Sequence, residues 1–231
     1  MNEYLLFIDT EASGLPKDWT LPYSAPRNWP YSVQVAWIVY KANGQEVKQE
    51  NNYINDNDFE IEPSAIKVHG ITRDFLNQHG KSRNEVMSSL SKDIVKYQPL
   101  IIGHFIQFDA HMVAADFYRA GIENPLRKEN SFCTMIASKH LVKNPAASFL
   151  RLGELYETLF YQTLNNQHSA IEDAKATAAC FFELLNRGQI TKESIALQQK
   201  EELSKGEMKT DGCAFPFLFI FSLIILIFYF L

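Results

Sequence analysis

Apolar positions recur along this chain with two different periods, and the changes of period divide it into elements. Tyr4 to Ile8 is an unbroken apolar run, the pattern of a strand covered on both faces. Val33–Tyr40 and Glu46–Ile54 predict two further strands, joined through Ala42-Asn43-Gly44, a hairpin signal. Ser64–Lys67 and Thr72–Gln78 predict short helical turns, and Ser82–Tyr97 a longer helix. Leu100–Gly103 reads as a short buried strand, followed by a helix from about Gln107 to Ala120. Phe132–Thr134 predicts another short strand, and helices are expected over Thr134–Val142, Leu152–Leu159 and Ser169–Asn186. Pro16 to Ser32 carries four prolines with Trp19 and Trp29, so it reads as a long ordered loop. Strands come first, then strands alternate with helices. That order predicts an α/β fold, a mixed sheet covered by helices.

The end of the chain follows neither period. Ala214–Leu231 contains no charge and no polar face, and its 18 residues would span about 27 Å as a helix. That matches the roughly 30 Å hydrocarbon core of a bilayer, so the stretch predicts a C-terminal transmembrane helix. Pro216 sits near its start, where a missing N–H is tolerated. Lys205 and Lys209 precede it and no charge follows, which predicts that the preceding domain lies in the cytoplasm. Thr191–Thr210, rich in Lys, Glu and Gln, reads as an exposed spacer. The expected division is a domain over residues 1–188, a polar spacer over 189–212 and a membrane anchor over 213–231. The N-terminal Met1–Asp9 has no basic region and too short an apolar run for a signal peptide.

Composition narrows the picture only a little. The 231 residues are 46% hydrophobic and 13% aromatic, enough for one sizeable core. A formal net charge of −5 argues against a protein that coats nucleic acid by bulk charge. Acids that face bound cations are compatible with a nuclease, because the metals then supply the local positive field. Cys133, Cys180 and Cys213 are far apart with no CxxC pair, as expected of reduced thiols.

Three acidic elements carry the candidate chemistry. Asp9 and Glu11 flank Thr10 at the end of the first strand, so both carboxylates point to one face. Two same-side acids ending an apolar strand are either solvated at the strand end or, if buried, in need of a partner, which metal ligation supplies. Asp109 falls in the first turn of a predicted helix, a position the helix dipole also favours. His168 and Asp173 are five residues apart and on one continuous helix would diverge by roughly 140°. Ser169 followed by Glu172 is a capping-box pattern, which would leave His168 on the preceding loop and Asp173 in the first turns. Four carboxylates and a neutral imidazole suit a two-metal phosphodiesterase. The acids can hold two hard cations about 3.5–4 Å apart, and the imidazole can take a proton from the attacking water. Composition and spacing stop at a two-metal phosphoesterase.

The local wording goes further. Phe7-Ile8-Asp9-Thr10-Glu11-Ala12-Ser13-Gly14-Leu15, Gly103-His104-Phe105-Ile106-Gln107-Phe108-Asp109 and His168-Ser169-Ala170-Ile171-Glu172-Asp173-Ala174 resemble, in order, the three motifs of the DEDDh (DnaQ-like) 3′–5′ exonucleases. The resemblance covers about Tyr4 to Leu185 and implies a ribonuclease-H-like fold. It implies that Asp9, Glu11, Asp109 and Asp173 hold two Mg²⁺ or Mn²⁺ ions and that His168 is the general base. The product would be nucleoside monophosphates released from the 3′ end of DNA or RNA. It also implies that the Ala12 amide, Leu15 and His69 contact the terminal nucleotide. Ala12 stands where the family usually has threonine, and Phe105 where asparagine is common. His79, His104, His111 and His140 have no place in the constellation. Two alternatives stay open: an exoribonuclease trimming short RNA, and an inactive membrane-tethered module that binds nucleic acid. The sequence names no polymerase or other protein partner.

Overall fold

The computed structural model describes residues 2–126 and 130–207. A five-stranded mixed sheet runs in the order β3-β2-β1-β4-β5. Its strands are β1 (Tyr4–Ala12), β2 (Ser32–Lys41), β3 (Glu46–Tyr53), β4 (Leu100–Gly103) and β5 (Ser131–Cys133). β1 pairs antiparallel with β2 and parallel with β4, so it sits at the centre. β3 pairs antiparallel with β2, and β5 parallel with β4. The helices are α1 (Pro63–His69), α2 (Arg73–His79), α3 (Arg83–Tyr97), α4 (Ile106–Ala120), α5 (Thr134–Ala137), α6 (Leu152–Phe160), α7 (Ala170–Asn186) and α8 (Lys192–Glu207).

The strand alternation decides what each face buries. Leu6 and Ile8 of β1 join Val35, Trp37, Val39 and Ile101 against Val86, Leu90 and Ile94 of α3 and Val113 and Phe117 of α4. Leu5 and Phe7 face the other way, with Leu100, Ile102 and Phe132, against Leu155 and Leu159 of α6 and Phe181 and Leu184 of α7. α7 comes closest to the sheet through small residues. Ala170 and Ala174 pack with Ile171 on Ala36 and Ile38 of β2.

The predicted helix over Thr134–Val142 is divided. α5 stops at Ala137, and a 3₁₀ turn covers Lys139–Leu141. The Ser138 hydroxyl donates to the Met135 carbonyl at 3.3 Å, a local bond that competes with helix continuation. The stretch expected to be an exposed spacer is a helix, α8, and its first turns are docked. Ile190 and Ile195 are buried in the α6–α7 core. The Gln198 amide accepts from Cys133 N–H at 3.0 Å and donates to the Cys133 carbonyl at 3.3 Å, so it occupies the open edge of β5 as a strand would. The helical composition of this stretch hid two apolar anchors and one amide. Among the described residues no helix is long and apolar enough to cross a membrane. The predicted transmembrane segment Ala214–Leu231 lies outside the described residues.

Candidate active site

The site lies beyond the C-terminal ends of the parallel pair β1 and β4, where helices from both faces of the sheet converge. Asp9 and Glu11 share the side-chain parity of Leu5 and Phe7, so they point toward α7. Thr10 points to the α4 side and receives Asp109 there. Asp109 Oδ1 accepts from Thr10 N–H and from the Thr10 hydroxyl, both at 2.9 Å. These two bonds tie the start of α4 to the end of β1. Gly103 permits the tight entry into α4, since a Cβ there would stand 2.9 Å from the Ile106 side chain and 3.1 Å from its backbone.

His168 and Asp173 meet differently from the capping box that the sequence suggested. Ser169 is the N-cap of α7, but its side chain makes no capping bond. Instead Gln34 Oε1 of β2 accepts from Ala170 N–H at 3.1 Å, and Asp173 Oδ2 accepts from His168 N–H at 3.0 Å. Glu172 turns outward to Lys175 at 2.9 Å. Two left-handed residues, Asn166 at φ 55° and His168 at φ 65°, fold the loop back over the helix. Ligand atoms of Glu11, His168 and Asp173 consequently all lie within 4.8 Å of one another. Asp173 Oδ1 is buried with no hydrogen-bond partner. A buried carboxylate oxygen beside other acids and without a donor is what a cation would satisfy.

Burial and mutual repulsion raise every acid of the group. Burial pushes Glu11 up to about 8, with Asp173 and Asp109 adding to it. Burial raises Asp109 to about 7 against the opposing pull of the Thr10 bonds. Asp173 rises to about 6, again through burial, while the His168 amide holds it lower. Asp9 is raised well above the carboxylate range by burial and then by Asp109, Asp173 and Glu11. Among the described residues these four acids have no ion-pair partner, unlike the buried Asp116, which Arg119 contacts at 2.8 Å and Arg83 at 3.3 Å. The all-oxygen donor set, the unpartnered Oδ1 and the uncompensated repulsion fit hard divalent cations. His168 is lowered by burial and by the nearby Arg151 cation, which favours its neutral form at pH 7.

The residues expected at the terminal nucleotide are close by. His69 Nδ1 accepts from Ile71 N–H at 3.0 Å, which leaves the ring proton on Nε2 to bond the Ala12 carbonyl at 3.2 Å. The two ring nitrogens are thus committed to backbone at Ile71 and at Ala12, and a substrate contact by His69 would use the ring face. Leu15 is half-buried where the chain leaves Glu11 for the loop. Sequence reasoning missed Arg151, Thr10 and Gln34. Arg151 precedes α6, which approaches the histidine loop closely enough that a Cβ on Gly153 would meet the Gln167 side chain at 2.8 Å. Arg151 carries no sequence signal of its own; only the fold brings it to His168. His104, set aside in the sequence, bridges Thr134 Oγ1 and the Leu150 carbonyl at 3.0 Å each, and burial pushes it down to about 4.

Residues 6–181 match the exonuclease family of the RNase T type, and the chain belongs to that family. A search of curated proteins finds no match. Among solved structures, one of exonuclease I superposes with a TM-score of 0.65 at 17% identity, over 80% of this chain and 41% of that one. The zinc-bound form of an E. coli exonuclease I–single-stranded DNA complex gives 0.64 at 18%, over 81% and 41%. E. coli exonuclease I with a dT13 oligonucleotide gives 0.64 at 19%, over 80% and 41%. The chain therefore spans about two fifths of the length of these structures, and the likeness is one of fold.

Proposed function

We propose that this protein is a metal-dependent 3′–5′ exonuclease that releases nucleoside monophosphates from single-stranded 3′ ends. The observation that carries the reading is the convergence of Glu11, His168 and Asp173 within 4.8 Å around an unpartnered carboxylate oxygen, with Asp9 and Asp109 electrostatically joined to them. Asp9, Glu11, Asp109 and Asp173 would hold two Mg²⁺ or Mn²⁺ ions. Such ions lower the pKa of a bound water and neutralise charge on the phosphate oxygens. His168, kept neutral by burial, accepts the proton from the attacking water. Arg151 has no salt-bridge partner among the described residues, and it offers its guanidinium to the phosphates that approach His168. The Ala12 amide and Leu15 orient the terminal nucleotide, with His69 holding the Ala12 carbonyl.

An inactive binding module is the less favoured reading, because the sequence keeps all five positions of the constellation and three of them, Glu11, His168 and Asp173, have ligand atoms within 4.8 Å of one another. Incubation of purified protein with matched 5′-labelled DNA and RNA single strands tests the proposal. The expected result is a Mg²⁺- or Mn²⁺-dependent ladder shortening from the 3′ end, abolished by EDTA. A ladder confined to RNA would make the enzyme an exoribonuclease, since that choice depends on contacts to the 2′ position. Activity undiminished by EDTA would sink the metal assignment. The uncharged stretch Ala214–Leu231 is proposed to tether this domain to a membrane with the active site in the cytoplasm.

A further inference from the structure

Phe105 occupies a backbone conformation that bulky residues avoid. Its φ of 71° and ψ of 43° lie in the left-handed region, at the N-cap of α4. A strained aromatic residue next to a proposed active centre calls for a compensating role. Its ring is half-buried and lies 11° from parallel with the ring of Phe108, at 6.5 Å between centroids. Trp19 packs against both rings at 6.1 Å. Phe105 and Phe108 lie in the turn that leads from the C-terminal end of β4 to Asp109, so these rings stand at the same end of the sheet as the acid cluster.

Trp19 is held there by a rigid loop. Ser13 N–H donates to the Tyr31 carbonyl at 2.8 Å and closes the loop at its base. The Asn28 side chain accepts from Asp18 N–H at 2.9 Å and donates to the Asp18 carbonyl at 2.8 Å. Trp29, 3% exposed, bonds the Leu21 carbonyl and stacks on His111 at 4.9 Å. Trp29 and His111 in turn seat Trp19, which meets them edge-on at 6.0 Å and 5.7 Å. Trp19, Phe105 and Phe108 nevertheless remain partly open to solvent.

We propose that Trp19 and Phe105, backed by Phe108, form a stacking wall for unpaired nucleobases of the strand whose 3′ end enters the acid cluster. This rests on the nuclease reading. Flat rings accept any base through its π-face, and only unpaired bases can leave their neighbours to use them. The wall would therefore select single strands without selecting sequence. It adds an affinity component that depends less on salt than phosphate contacts do.

The test uses the full-length protein with Ca²⁺ in place of Mg²⁺ and two labelled oligothymidines, read by fluorescence anisotropy. One strand is complete, and the other has abasic sites at the few nucleotides upstream of an intact 3′ terminal nucleotide. Wild-type protein should bind the complete strand more tightly. Phe105→Leu and Trp19→Leu should each weaken the complete strand by about 5- to 100-fold, with little effect on the abasic strand. Phe105→Asn, which suits the left-handed backbone, should lose the same preference without misfolding. Equal loss on both strands, or no loss on either, would overturn the wall and leave the nuclease reading standing. Failure of wild-type protein to bind either strand, together with failure to shorten either in Mg²⁺, would overturn both.

Discussion

Individual residues at the site work against the stability of the fold. Raised acids favour the neutral, proton-bound form in the folded protein. Their contribution is full below the unfolded carboxylate range near about 4 and is lost as pH rises through the folded values of about 6 for Asp173, about 7 for Asp109 and about 8 for Glu11. The metal-free domain should therefore melt at lower temperature at about pH 8 than at about pH 5.5. Mg²⁺ or Mn²⁺ should raise the melting temperature, and more so at the higher pH. Asp109→Asn keeps an Oδ1 for the two Thr10 bonds while removing a charge, so it should stabilise the metal-free domain and blunt the metal response. A metal-free Asp109→Asn protein that melts below wild type at pH 8 would count against electrostatic repulsion as the dominant effect. His168 titrates below its ordinary 6.5, so the rate should climb with pH along a limb below that value. His168→Ala should lose about 10²–10⁴ in rate and that limb, yet keep most of the metal-induced thermal shift. Near-wild-type turnover in the mutant would show that His168 is not the base. The acids and the histidine were legible because their chemistry needs fixed residue types at short spacings. Thr10, Gln34 and Arg151 were not, since each reaches the site only through strand pairing or helix approach across long sequence separations.

Elements were legible wherever one period dominated. β1, β2, α3, α4 and α7 follow apolar patterns set by burial on the two sheet faces, and the sequence boundaries fall close to theirs. Two failures share a physical cause: a local signal was outweighed by a tertiary contact. The Ser169–Glu172 pattern suggested a capping box, but Gln34 and Asp173 take over the N-terminal amides of α7 and its approach loop. α8 reads as polar spacer because only a few of its residues meet the core. Those few are well placed. Ile195 is 5% exposed, and Gln198 satisfies both backbone groups of Cys133 on an edge strand. Ile195→Ala should cost about 2–4 kcal/mol of unfolding free energy, through lost burial and a residual cavity. Gln198→Leu should cost less, on the order of 1–2 kcal/mol, by leaving the Cys133 amide unpaired. Chemical denaturation of the two variants checks both. Ending the chain after Gly188, the boundary that composition suggested, should destabilise the domain more than either change. Full stability in that truncation would mean that α8 is only resting on the sheet.

At the scale of the whole molecule, the catalytic unit and the tail are separable in sequence, and the position of α8 fixes where they can be cut. The sheet, both helical layers and the docked part of α8 are complete by Gln198, and the helix ends at Glu207. No residue proposed to act on substrate lies beyond Asp173. Ala214–Leu231 has no charge and no polar face, so as a helix it would have no favourable aqueous surface. Ending the chain after Gly212 keeps Ile195 and Gln198 in place and should release a soluble domain with unchanged turnover on single strands. The full-length protein should sediment with membranes and stay there through high salt and alkaline carbonate. Apolar insertion is not screened by ions as surface charge attraction is. The two halves of this expectation have different readouts. Recovery of full-length protein as a monodisperse soluble species would reject the anchor without touching the nuclease reading. Loss of activity or stability on cutting after Gly212 would instead show that the apolar tail belongs to the folded domain, packed against it or against a second copy.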